Sequence, residues 1–88
     1  MPLYVRTLLV TGPLEEVRTA AAGHVEHLRG LHFRGKLRAA GRLGNDDGFL
    51  EIFEAKDRKE AEEIARSSPL VEDGLGAWMI RPWDEIEF

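Results

Sequence analysis

His24, His32 and Ser68 are the residues of this 88-residue chain best suited to move a proton. His24 falls on the apolar stripe of a long amphipathic segment, where a titratable ring needs a hydrogen-bonding partner or a task. Imidazole changes charge near neutral pH, so a positioned histidine can take a proton from a substrate and return it. His32 closes the same segment, and Ser68, in Ser67-Ser68-Pro69-Leu70, ends a second helical segment with a hydroxyl able to orient a ring. Each has a plainer reading. His24 could be a buried, hydrogen-bonded core ring, and His32 a C-terminal histidine favoured by the helix dipole, with a minor part at a site. Ser68 could simply terminate its helix, since no nucleophile elbow or oxyanion hole accompanies it.

Other polar residues are weighed the same way. The spacings of His24, His27 and His32, three and then five residues, do not gather all three on one helix face, so they do not read as a metal site. Asp46 and Asp47 read as solvated turn residues. Arg6, Glu51 and Arg81 stand in otherwise apolar strands, where a buried charge demands pairing. They line a cleft for an acidic ligand, with Arg6 binding substrate, or they form an inter-strand ion pair, and strand register decides between these.

The elements that must position these groups follow from periodicity. Leu3 to Val10 is β-branched and apolar and reads as a strand closed by Thr11-Gly12-Pro13. Pro13 suits the first position of a helix, with Glu15 and Glu16 in its first turn. Centred on Leu28 at about 100° per residue, Leu14, Val17, Ala21, His24, Val25, Leu31 and His32 form its apolar face, with His27 near the polar edge. Gly23 and Gly30 permit close packing or mark a bend, and Gly35 ends the helix. Lys36 to Leu43 and Phe49 to Glu54 form a hairpin around Gly44-Asn45-Asp46-Asp47-Gly48. Asp57 caps a second helix with Glu60 three residues on, and Ala61, Ile64 and Ala65 supply its stripe. Leu70 to Gly76 is a turn or helical fragment, and Ala77 to Pro82 is the last strand.

The order is βαββαβ, whose simplest solution is the α+β ferredoxin-like arrangement, an antiparallel sheet with both helices on one face. The first and last strands are apolar on both parities, so one sheet face would stay exposed in a monomer. A homodimer formed by sheet stacking is the expected partner state, and the acidic, aromatic tail Trp83 to Phe88 covers a sheet edge or reaches the second copy.

Composition limits the function classes. At 43% hydrophobic and 32% charged residues the chain reads as one folded domain over 1–88. With no cysteine there are no disulfides or thiolate sites, and the cytoplasm is the expected location. A net charge of −4 with dispersed basic residues argues against nucleic acid, and no apolar run suits a membrane. One Asn, no Gln and nine Arg against three Lys suggest weak selection against thermolabile side chains, or the base composition of the genome. No cofactor signature is present, so none is expected.

Gly23-His24-Val25-Glu26-His27-Leu28-Arg29-Gly30-Leu31-His32, followed by Gly35 to Gly41, resembles the YCII (YciI-like) family, as do Ser68 to Leu75 and Ile80-Arg81-Pro82-Trp83. The resemblance spans nearly the whole chain in order. It implies a dimeric α/β-barrel of ferredoxin-like subunits, with a cleft marked by a His paired with an Asp. The histidine carries over to His24. The family's Asp-Pro step corresponds to Ser68-Pro69, and Ala21 and Ala22 replace its Arg-Pro pair. For members with the dyad it implies proton abstraction beside a carbonyl and loss of a leaving group. A carboxylate would fix the ring's tautomer and stabilise its charged form, whereas serine can only orient it.

Two functions follow. One is a small cofactor-independent enzyme, of lyase type, with His24 as general acid/base on a carbonyl or lactone substrate, Ser68 orienting the ring, and Asp73 or a partner-subunit residue able to restore a carboxylate. The other is a catalytically inactive dimeric binding or structural module.

Overall fold

A computed structural model describes residues 1–45 and 47–88. Asp46, expected in the turn, lies outside the described residues. The chain runs β1 (Leu3–Val10), α1 (Leu14–Phe33), β2 (Leu37–Leu43), β3 (Gly48–Glu54), α2 (Arg58–Arg66), α3 (Pro69–Glu72) and β4 (Gly76–Trp83). The strands pair antiparallel in the order β2-β3-β1-β4. This is the α+β ferredoxin-like layout, with the fragment after Ser68 forming the single turn α3. No helix among the described residues is long and apolar enough to cross a membrane.

Local chemistry sets the helix ends. Pro13 is the extended residue just before α1, not its first helical residue, and it offers no side-chain cap. Its fixed φ fits either place, and Glu15 and Glu16 still supply charge to the first turn. At the other end Gly35 has φ +72°, its N–H donates to His32 O, and the Lys36 N–H donates to Leu31 O. That is a Schellman closure, which needs the left-handed backbone glycine adopts freely. Asp57 Oδ1 accepts the Glu60 N–H at 2.9 Å, as expected, but Glu60 Oε1 returns to the Lys56 N–H rather than to Asp57.

The buried side of α1 differs from the expected stripe. Val17, Ala20, His24, Leu28 and Leu31 are buried, whereas Leu14 and His32 are exposed and Ala21 and Val25 only partly covered. The centre of the packed face is thus rotated by about 40° from the line through Leu28. Apolarity alone put Leu14, Ala21, Val25 and His32 inside. The sheet covers only half of a stripe that wide.

The helix-facing residues of the sheet form two apolar clusters. Tyr4, Phe53 and Ile80 meet Ala61 and Ala65 of α2, and Leu8 and Phe49 meet Val17 and Ala20 of α1 with Leu70 and Leu75. Between Tyr4 and Leu8 on β1 comes Arg6; between Phe49 and Phe53 on β3 comes Glu51. The core is therefore divided by a polar layer. On the opposite face lie Leu3, Val5, Leu9, Leu50, Ile52 and Met79; Ile52 is buried, and Leu9 and Met79 are 51% and 58% exposed.

Candidate functional site

The polar layer is built by register. Arg6 and Glu51 are direct cross-strand partners, so strand alternation sends both side chains toward the helices. Both are fully buried. Arg6 Nε donates to Glu51 Oε1 at 2.7 Å, and a second guanidinium nitrogen contacts the same oxygen. Arg6 Nη1 donates to Ala65 O at 2.7 Å, satisfying a carbonyl in the last turn of α2, where positive charge is favoured. The inter-strand pair anticipated for Arg6 thus forms with Glu51. Arg81, opposite Val5, is exposed on β4.

His24 and Ser68 join this layer from α1 and from the α2–α3 junction, and both are fully buried. His24 Nδ1 lies 2.6 Å from Ser68 Oγ, and His24 Nε2 lies 3.5 Å from Glu51 Oε1. Ser68 Oγ also accepts the Leu70 N–H at 3.3 Å, as the N-cap of α3. A consistent proton arrangement follows. The serine hydroxyl donates to Nδ1, and the remaining ring proton on Nε2 faces the carboxylate, because an Nε2 lone pair there would be repelled. Gly23 lets α1 approach this junction: a Cβ at that position would stand 2.8 Å from Pro69 Cγ.

Three buried polar atoms, His24 Nε2, His27 Nε2 and Glu51 Oε2, have no hydrogen-bond partner among the described residues. Such orphans are rare in folded proteins, and here they belong to one group. The His24 and His27 rings are 6.0 Å apart between centroids. Burial, the Arg6 guanidinium and His24 hold His27 down to a pKa of about 4, against a smaller opposing pull from Glu51. His27 is therefore uncharged at neutral pH and a weaker proton acceptor than an ordinary histidine.

Phe49 closes this layer from the adjoining groove. Its ring lies 4.6 Å from that of His24 between centroids. The groove runs between α1 and the β2–β3 hairpin. One cavity, about 280 Å³, has His32, Leu28, Leu37 and Ala40 in its wall; a second, about 480 Å³, has Leu14, Arg18 and Ala21; Val25, Arg42 and Phe49 border both. The structure thus brings His24, Ser68 and Arg6 into one buried group and leaves His32 on the wall of the first cavity. Arg6, expected at substrate, is enclosed by Glu51 and Ala65 O. Asp73, considered as a source of the carboxylate, is exposed at the C-cap of α3.

The sequence reading missed Glu51 as the carboxylate beside His24, His27 as a member of the group, and Phe49 and Arg42 as its cover. One signal was present: in Phe49-Leu50-Glu51-Ile52-Phe53, alternation puts Glu51 on the same face as two core aromatics. His27 gave none, because the helix is rotated from the face its apolar residues define.

Comparison with known proteins agrees with this architecture. A 5-chloro-2-hydroxyhydroquinone dehydrochlorinase, TftG, from Burkholderia phenoliruptrix AC1100, solved with 2,5-dihydroxybenzoquinone, superposes with a TM-score of 0.79 at 22% identity, over 93% of each chain. Muconolactone isomerase superposes with a TM-score of 0.78 at 14% identity, over 96% of this chain and 90% of that one. An antibiotic biosynthesis monooxygenase gives 0.60 at 14%, over 97% and 99%. These likenesses establish the fold, the ferredoxin-like βαββαβ subunit. No curated protein matches the sequence. Residues 4–84 match the YCII-related domain, and the chain belongs to that family.

Proposed function

We propose that this protein is a small cofactor-independent enzyme of lyase or isomerase type, in which His24 transfers a proton to or from a carbonyl-bearing or lactone substrate. The observation that carries the reading is the convergence of three buried, unpartnered polar atoms on His24, His27 and Glu51. Ser68 fixes the ring through Nδ1; for Nε2 to take a proton the ring first passes to the other tautomer, with Nδ1–H donating to Ser68 Oγ, and Glu51 then stabilises the imidazolium as it forms. Arg6 is a positioning residue that holds the carboxylate. Phe49 must turn aside to admit substrate from the groove, where His32 stands at the wall. The neighbours named above act on a chlorinated hydroquinone and a lactone, substrates that suit carbon-proton transfer. The working form in this reading is a homodimer stacked through the open sheet face, in the reducing cytoplasm.

The test is solvent exchange. Incubated in D₂O with a panel of unsaturated lactones and hydroxyquinones, the protein is expected to introduce deuterium beside the carbonyl of at least one. His24→Asn should slow that exchange by about 100-fold or more. Exchange that is undiminished in His24→Asn defeats the assignment. A second reading, a catalytically silent binding module, draws on one observation: His24 is fully buried, with Phe49 against its ring. Absence of exchange across the panel favours it.

A further inference from the structure

We propose that the groove between α1 and the hairpin is a binding site for a small planar carboxylate, an aromatic or conjugated ring acid, selected by Arg42. This deepens the reading above, resting on it for the chemistry that would follow but not for binding itself.

The groove exists because the sheet covers only half of the apolar stripe of α1. The other half, Leu14, Ala21, Val25 and His32, faces the two cavities instead. On the strand side Ala40 and Gly41, between Leu37 and Arg42, are too small to close the gap. The first cavity, about 280 Å³, falls just below the roughly 300 Å³ at which pockets for drug-sized ligands begin, so it suits a ligand of about one ring. Its apolar walls, Val25, Leu28, Leu37 and Phe49, can stack on or flank that ring.

Charge specifies the rest. The chain carries 16 acidic residues and a net charge of −4, yet among the described residues neither cavity has an aspartate or glutamate in its wall. The walls instead hold Arg18, Arg29, His32 and Arg42. Arg29 is engaged by Glu26 at 3.2 Å on the exposed side of α1. Arg42 borders both cavities and has no ion-pair partner among the described residues; its guanidinium lies over the Phe49 ring, 5.9 Å from the centroid. A guanidinium held over a ring keeps its edge donors for a second partner, and that planar fork matches a carboxylate. An acid bound there would place its ring against Phe49, the residue that separates the groove from His24.

The proposal is tested by amide NMR titration with three probes: benzoate, its neutral isostere benzamide, and inorganic phosphate. Benzoate is expected to shift Val25, Arg42 and Phe49 saturably, with benzamide and phosphate each at least tenfold weaker. Arg42→Met should weaken benzoate at least tenfold, and Arg42→Lys should fall between, since it keeps charge and loses the fork. Benzoate binding is read on the unaltered protein without turnover, so a failure of catalysis and a failure of this site are distinguishable. Benzamide equal to benzoate, phosphate equal to benzoate, or an Arg42→Met protein of unchanged affinity would each overturn it.

Discussion

At the scale of single residues, the decisive fact is that a charged layer crosses the middle of a small core. Arg6 and Glu51 lose their hydration completely, so their stability rests on each other and on Ala65 O. Arg6→Met should strand Glu51 as a buried unpaired charge and cost about 3–5 kcal/mol, read as a fall in the urea midpoint. Replacing both, Arg6→Met with Glu51→Leu, should recover much of that loss, because no charge is then left without a partner. His27 contributes a pH dependence of known sign. Its pKa is about 4 in the fold against an ordinary 6.5, so above pH 6.5 it is neutral folded or unfolded. Between 6.5 and about 4 the unfolded chain takes up the proton first, and stability falls with pH across that window. Solvent screening at this half-buried position limits the loss to about 1–2 kcal/mol. His27→Gln should flatten this part of the stability profile, measured by urea unfolding between pH 4 and 7.

At the scale of elements, α1 does two jobs with one stripe. One half packs on the sheet and carries His24 into the polar layer; the other forms the wall of the groove. Its two interior glycines are therefore not equivalent. Gly23 faces Pro69 at a distance no Cβ tolerates, whereas a Cβ at Gly30 would meet nothing within 4 Å. Gly23→Ala should gain about 1 kcal/mol of helix propensity and lose about 1–3 kcal/mol to crowding, a net loss. Gly30→Ala should raise stability by about 0.5–1 kcal/mol, since only the propensity changes. Thermal unfolding of the two variants side by side checks the contrast, and equal effects would mean that α1 and α3 are not in close contact.

At the scale of the whole molecule, two helices and a single turn cover one face of a four-stranded sheet, and the other face is left with exposed apolar residues around Arg81. Leu9, Met79 and Trp83 are more than a third exposed, and with the partly covered Val5 and Leu50 they form a surface around Arg81 suited to a second copy. Leu9→Lys combined with Met79→Lys should convert a dimer to a folded monomer, seen by sedimentation at micromolar concentration. An unaltered protein that sediments as a monomer there would remove the stacking proposal. The tail crosses toward the far edge of the sheet, with Glu85 and Arg38 paired at 3.1 Å, and leaves Ile86 and Phe88 in solvent.

The order of elements, the ferredoxin-like layout, the cap at Asp57, the stop at Gly35 and the family were all legible in the sequence. Each depends on local periodicity, on turn chemistry or on motifs that lie along the chain. The pairing of Arg6 with Glu51 was legible only as one of two outcomes, because a one-residue change of register would have turned both side chains to the other face. That Glu51 stands beside His24, that His27 joins them, and that Phe49 lies over the ring were decided by tertiary structure alone. The reason is rotational: a stripe wider than the sheet can cover fixes a helix only to within tens of degrees, and about 40° decides which residues enter the polar layer and which line the groove.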